Sequence, residues 1–520
     1  MAFSGVAQAQ VRLPALGESA SDDLSVGAER RVGDQIMAEG RRDPSYYDDP
    51  VLLAYVQSLW DPLVAAARQR GEIGADTDRA FAWEIFLMRE RSVNAFALPG
   101  GYVGVHLGLI ALTTSRDQLA SVLAHELSHV TQRHIARSIA PQQRASLVAL
   151  ATLLLGIIAA SRTNNADMAN AAIMGGQAAA IQGQLNFSRD MEREADRIGY
   201  GVLATAGFSS AGMAAMFEKL DVATRMNDSG GFPYLRSHPL TVDRISEARN
   251  RTLLGPATPS APPLEHALMQ MRARVLMDDS VQALQRLGGE TSSPELGDRL
   301  AALYGGALAA ALLRDHARAE TQAGQALQLA ARATPREPAA ERALHLLQAQ
   351  VRLARGDAQG ALAALDALPA GTGARAPLLQ RAQAALDWHR QSGGSATGAA
   401  AADLRRSTEA LQTWLVEQPL DAAAWQLLAG TSEALGLTLR SMRAGAEARA
   451  VVGDLTGAID RLRAAQSAAR MPAAHDFIEA SVVDARLRQL MAQRRQVALE
   501  ARGGRAGPPG TEFPDEPLPQ

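Results

Sequence analysis

No cysteine occurs in the 520 residues. That absence removes disulfides, thiolate-bound zinc and thiol nucleophiles together, so any metal site has to be assembled from histidine, aspartate and glutamate. It leaves the compartment open, because a protein can be exported without a disulfide. An excess of charge of either sign is also missing: 52 basic and 55 acidic residues give a formal net charge of -3. Nucleic acid is thereby set aside as a partner, since no basic field is there to release counterions. A full export signal is missing too. The opening MAFSGVAQAQ ends in Ala7-Gln8-Ala9, which has the small-x-small form of a cleavage site, but too little precedes it for a basic segment and an apolar one. Residues 1–20 are therefore read as an export-signal remnant and linker.

Long hydrophobic runs are scarce. ASLVALATLLLGIIAAS, residues 145–161, is apolar and uncharged between Arg144 and Arg162, and its 17 residues reach only the lower limit of a membrane span. It is read as a hydrophobic helix that covers the active site or touches a membrane surface.

What the chain does have is length and apolar content, 47% hydrophobic over 520 residues, enough for two or more domains with cores of their own. The pattern predicts a helix from Val51 to about Arg70, a strand within FAWEIFLMRE, and a hairpin turning at Pro99-Gly100-Gly101 in NAFALPGGYVGV. Ser115, three residues before Gln118, opens a further helix with a capping-box pattern. Leu119, Val122, Leu123, Leu127 and Val130 form its apolar stripe. A Pro-rich linker over 256–264 separates this region, 21–255, from an Ala/Leu-rich helical one over 265–500, with a tail at 501–520 that reads as disordered. GDAQGALAAL from Gly356 and GDLTGAIDRL from Gly453 resemble each other. Gly436 precedes Gly453 by 17 residues, half the 34-residue period of a tetratricopeptide repeat. Trp425 and Leu428 fit the first-helix pattern of such a repeat, whereas Ala429 replaces its glycine. The fold expected is mainly α: an α+β domain with a small sheet, followed by a tetratricopeptide-like solenoid.

The chemistry lies in SVLAHELSHVTQRH. His125-Glu126-Leu127-Ser128-His129 matches H-E-x-x-H, and residues four apart share a helix face, so both imidazoles can reach one zinc ion. Glu126 beside them would take a proton from water that the metal activates. Chance alone produces this pattern on the order of once in a hundred such sequences, so the motif does not stand by itself. A third ligand is required, with the fourth position open. FSRDMEREADRIGYG offers Glu192 and Asp196 four apart, one carboxylate to ligate and the other to support.

HELSH followed by SRDMEREAD resembles the gluzincin metallopeptidases that include the CAAX prenyl protease and HtpX. The resemblance makes residues 21–255 a zincin-like metalloprotease domain and assigns the third zinc ligand to Glu192, with Asp196 as the supporting carboxylate; Glu194, at an odd spacing between them, is a bystander that points off that face. It also implies that NAFALPGG, with Asn94, Ala95, Phe96 and Ala97, is the strand that pairs with extended substrate. SHPLTVDRI resembles the family's H-P-x-x-x-x-R segment, which places His238 and Arg244 near the metal as catalytic candidates; His238 either stabilises an oxyanion or occupies zinc's fourth position as a latch. Joined to a helical-repeat domain, the likeness narrows to the BepA type of periplasmic metalloproteases. It implies one Zn2+ per chain, misassembled or stalled outer-membrane proteins as substrates, and the barrel-assembly machinery as a partner. Two alternatives stay open: a chaperone or assembly scaffold whose protease is held shut, and a membrane-embedded quality-control protease of the HtpX kind.

Overall fold

The computed structural model describes residues 24–138, 188–226, 232–254, 264–287, 293–368, 375–471 and 476–501. The expected export-signal remnant, the apolar segment 145–161, the linker short of Leu264 and the tail beyond Ala501 lie outside these residues. The protease region begins with helix α1 (Val26–Gly40), strand β1 (Tyr46–Tyr47), helices α2 (Pro50–Gln69) and α3 (Ala75–Ala80), and strand β2 (Glu84–Met88). Strands β3 (Ala95–Leu98) and β4 (Tyr102–His106) and helices α4 (Leu107–Leu112), α5 (Arg116–Thr131) and α6 (His134–Ser138) follow. Then come α7 (Arg189–Thr205), α8 (Ala211–Met226), α9 (Tyr234–Ser237) and α10 (Val242–Leu254).

The four strands form one mixed sheet in the order β1-β2-β4-β3. β3 and β4 make the expected hairpin across Pro99-Gly100-Gly101, pairing Ala95 with Val105 and Leu98 with Tyr102. β2 runs parallel to β4 and antiparallel to β1. β3 is consequently an edge strand: its outer side has no strand partner among the described residues.

Helix α5 starts as its cap signal requires, with Ser115 Oγ accepting from the Gln118 backbone N–H at 3.2 Å. The Gln118 side chain reaches one residue further back than a capping box prescribes and accepts from the Thr114 N–H at 2.8 Å. The expected single apolar stripe is overtaken by packing. Every residue from Gln118 to Val130 is buried, because α2, α7, α8 and the sheet surround α5 on all sides. Helix α7 crosses it at Gly199, where an added Cβ would stand 3.1 Å from the Ala124 carbonyl oxygen. This close approach brings the N-terminal half of α7, with Glu192 and Asp196, against His125 and His129.

Beyond the protease region come α11 (Leu264–Leu276), α12 (Val281–Leu287) and five successive helix pairs. The pairs are α13 (Leu296–Leu312) with α14 (His316–Ala330), α15 (Pro338–Ala354) with α16 (Ala358–Asp366), α17 (Arg375–Gln391) with α18 (Ala399–Glu417), α19 (Ala422–Ala434) with α20 (Thr438–Val451), and α21 (Leu455–Ala468) with α22 (Phe477–Ala501). The two Gly-Asp segments cap helices in the same way: Gly356 and Gly453 take φ near 80° and the aspartate that follows accepts from the N–H three residues on. A third copy of this turn is hidden in the sequence, where Arg314 at φ 62° stands in the glycine position before the cap Asp315.

The two regions do not have separate cores. Leu268, Met269 and Ala273 of α11 belong to the same apolar cluster as Leu52, Leu59 and Leu119. Arg272, 2% exposed, binds Asp49 through Nε at 2.7 Å and Nη2 at 2.6 Å, and reaches the Tyr304 hydroxyl and Gln350. A buried ion pair of this kind is tolerated only when its remaining donors are satisfied, as they are here. α2 is also the one described helix long and apolar enough to cross a membrane, and Leu52, Val56, Trp60 and Leu63 put it in this core.

Candidate metal centre

His125 and His129 project from α5 onto the face met by α7, which is capped by Ser188 and carries Glu192 in its first turn. A fourth donor arrives from outside these helices. His238 follows the short α9, and its N–H donates to the Tyr234 carbonyl, fixing the loop. One atom from each of His125, His129, Glu192 and His238 lies within 4.8 Å of the others, and all four residues are buried. His129 Nε2 is 3.0 Å from His125 Nε2 and 3.4 Å from Glu192 Oε1; His238 Nδ1 is 2.9 Å from the same oxygen.

The supporting contacts point these donors inward. Asp196 Oδ1 accepts from His125 Nδ1 at 2.9 Å, which leaves Nε2 to face the cluster. Arg244, 4% exposed, grips Asp196 through Nε at 2.6 Å and Nη2 at 2.9 Å, reaches Glu192 Oε2 with Nη1 at 2.8 Å and donates to the Pro239 carbonyl. Its guanidinium is thus committed to the carboxylates that surround the donors.

Glu126 is wholly buried, and neither carboxylate oxygen has a hydrogen-bond partner of normal geometry. His238 Nε2 stands 3.5 Å from Oε1. Burial raises the Glu126 pKa, and His238, His125 and the backbone of Ala97 in β3 pull it partly back. The edge strand therefore runs beside the carboxylate. Burial presses the His125 pKa down, but the Asp196 and Glu192 carboxylates outweigh it and raise it to about 10. His129 is driven well below its ordinary value by burial and by the neighbouring imidazoles. Glu192, although burial opposes it, is held strongly ionised by His238, His125 and His129. A carboxylate this firmly ionised among imidazoles, beside a buried carboxylate lacking hydrogen bonds, is a donor set that fits a divalent cation with nitrogen and oxygen ligands.

All the residues singled out in the sequence for the metal and for its activation come together here: His125, Glu126, His129, Glu192, Asp196, His238 and Arg244. Asn94, Ala95, Phe96 and Ala97 lie on and beside β3, with Asn94 and Ala95 buried and Phe96 and Ala97 half-buried. Glu194 needs correction as a bystander. It does turn off the metal face, but its Oε2 accepts from His134 Nε2 at 3.0 Å, and His134 Nδ1 is 2.9 Å from His129 Nδ1. Sequence reasoning missed His134 because five residues from His129 is the wrong helical spacing. It missed Tyr234 as well, whose buried ring lies tilted against that of His238, centroids 4.7 Å apart, and which no motif announces.

Two imidazoles and a carboxylate on crossed helices, with a glutamate next to the first imidazole, define a metallopeptidase of the H-E-x-x-H kind. The profile described as Peptidase family M48 matches residues 54–252. The chain is 30% identical over 490 residues to the beta-barrel assembly-enhancing protease of Yersinia pestis, covering 94% of this chain and 93% of that protein. It is 38% identical over 239 residues to the Escherichia coli protein of the same name, 46% of this chain and about half, 47%, of that protein's length. The mitochondrial metalloendopeptidase OMA1 of Schizosaccharomyces pombe is 29% identical over 230 residues, 43% of this chain and 61% of the relative. The chain belongs to peptidase family M48, in its beta-barrel assembly-enhancing branch. Its enzyme class is that of the zinc metalloendopeptidases, and the donor set described above fits that metal.

Proposed function

We propose that the protein is a zinc endopeptidase of the bacterial periplasm that degrades misassembled or stalled outer-membrane β-barrel proteins, with His125, His129 and Glu192 as its metal ligands. The observation that carries the reading is a buried four-donor cluster beside a buried glutamate whose oxygens have no hydrogen-bond partner of normal geometry. A zinc ion held there supplies Lewis-acid polarisation of a peptide carbonyl and makes water a nucleophile near neutral pH. Glu126 accepts the proton from the attacking water and passes it to the leaving amine. Its burial favours this, because raising the pKa of a carboxylate makes it a stronger base towards water. Extended substrate adds to the open edge of β3, along Ala95, Phe96 and Ala97 with Asn94 at its start. Backbone pairing of this sort tolerates many sequences, as a protease acting on unfolded chains requires. Asp196 orients His125, and Arg244 orients Asp196 and Glu192.

The assignment to outer-membrane assembly and the periplasm is supported by the match to the Yersinia relative along nearly the whole chain. The tetratricopeptide-like helix pairs are the part that holds unfolded barrels or the barrel-assembly machinery. Digestion of an unfolded outer-membrane barrel protein by the full chain, with and without a chelator, tests this. Wild type cleaves, chelator and Glu126→Gln abolish cleavage, and the same barrel folded in micelles resists. Cleavage undiminished by chelator contradicts the account.

A second reading is favoured by one observation: His238 stands among the metal donors rather than apart from them. In that reading it closes zinc's fourth position as a latch and the chain acts chiefly as an assembly scaffold until substrate displaces the imidazole. A cell in which Glu126→Gln fully replaces wild type in barrel assembly supports the scaffold; loss of that role supports the protease.

A further inference from the structure

Behind His129, on the side away from the donor cluster, stands a second histidine whose placement is built into the chain. On an uninterrupted helix residues 129 and 134 would lie about 140° apart around the axis, and their rings would not meet. They meet because α5 ends at Thr131 and Arg133 takes φ 52° before α6 begins. A left-handed conformation is strained for arginine. It is held by the ion pair of Arg133 Nε to Glu29, a carboxylate only 3% exposed, at 2.8 Å, with a further bond to the Leu24 carbonyl. The break carries His134 Nδ1 to 2.9 Å from His129 Nδ1 and its Nε2 to 3.0 Å from Glu194 Oε2, which Arg137 Nη1 also reaches at 3.0 Å.

We propose that His134 and Glu194 are positioning residues for the metal ligand His129, forming with it a carboxylate–histidine–histidine relay that fixes the ring and tautomer of the ligand. The inference rests on the reading of His129 as a zinc ligand through Nε2. A ligating nitrogen carries no proton, so the proton of His129 is on Nδ1 and is donated to His134 Nδ1. That nitrogen must then be bare, which puts the His134 proton on Nε2, where it is donated to Glu194. Arg137 Nη1 donates to the same Glu194 oxygen and stabilises its charge. Each step follows from the one before it, and only one arrangement of protons satisfies all three contacts. Glu194 thereby does for His129, through one intervening imidazole, what Asp196 does for His125 directly. Partners of this kind orient the ring and raise ligand basicity, and losing one lowers metal affinity by about 10- to 100-fold.

The test is zinc affinity by competition with a chromophoric chelator, on the full chain, with thermal unfolding of the zinc-free proteins alongside. His134→Leu and Glu194→Gln should each weaken zinc binding by about 10- to 100-fold. His134→Asn should restore part of the loss, because its amide oxygen can accept from His129 Nδ1. The zinc-free melting temperatures of Glu194→Gln and wild type should coincide, since Glu194 is half-exposed and its loss leaves no cavity. Equal losses in the leucine and asparagine variants, or unchanged affinity in Glu194→Gln, overturn the relay. If His134→Leu fails to fold, Glu194→Gln decides alone. A His125→Ala/His129→Ala variant that still binds one zinc tightly refutes instead the metal-site reading beneath it, so the two failures are distinct.

Discussion

Asp196 is shared between His125 and Arg244: one carboxylate accepts from the imidazole Nδ1 at 2.9 Å and from the guanidinium Nε at 2.6 Å, so the orientation of His125 is tied to Arg244, 48 positions downstream of Asp196. Asp196→Asn keeps the volume but removes the charge that supports both partners. Zinc affinity should fall by about 10- to 100-fold with the fold intact, measured by chelator competition. Arg244→Lys should do the same to a lesser degree, because an ammonium cannot replace the two-pronged contact. Unchanged affinity in both variants would separate Asp196 from the metal.

Glu126→Gln should keep one zinc per chain and lose cleavage, since the amide cannot take the proton from water. Because neither carboxylate oxygen makes a hydrogen bond of normal geometry, the substitution costs little packing or stability. Metal content and peptide turnover measured on one preparation check it, and turnover at the wild-type rate would remove Glu126 from the mechanism.

His238→Ala distinguishes latch from catalyst. A latch predicts retained zinc and a rise in basal or self-cleavage, because the other three donors remain. A uniform loss of activity at full zinc occupancy would assign His238 to catalysis instead.

The junction of the two regions should be sensitive to acid. His266, 1% exposed, accepts from the Tyr55 hydroxyl at 2.6 Å and donates to the Thr113 carbonyl at 3.1 Å, and burial lowers its pKa to about 4. Unfolded, the imidazole titrates near 6.5, so between these values the unfolded chain binds the extra proton. The contribution is complete above pH ~6.5 and is lost as pH falls towards ~4, up to about 3 kcal/mol in all. Urea midpoints across this range should drop more steeply for wild type than for His266→Leu. Parallel slopes would show that His266 does not carry the effect.

The sequence announces the candidate metal site far more clearly than the architecture. His125 and His129 are legible because helical spacing puts both imidazoles on one face, whereas spacing offers Glu192 and Asp196 alike and only the family likeness chooses between them. The hairpin is legible because Pro99-Gly100-Gly101 permits little else. His134 is hidden because it reaches His129 only through the left-handed Arg133, and an arginine gives no sign of that conformation in advance. The same reason conceals the repeat turn at Arg314. The all-round burial of α5 and the continuous core through α11 depend on elements distant in sequence, such as Asp49 meeting Arg272, and no local pattern encodes those encounters.

His125, His129 and Glu192 are proposed to hold one zinc ion. Anomalous X-ray scattering collected on either side of the zinc edge, from crystals of the full chain, tests it most directly. The account predicts a single peak about 2.0–2.2 Å from Nε2 of both histidines and from a Glu192 oxygen. A peak elsewhere, or none in protein that cleaves its substrate, would contradict it.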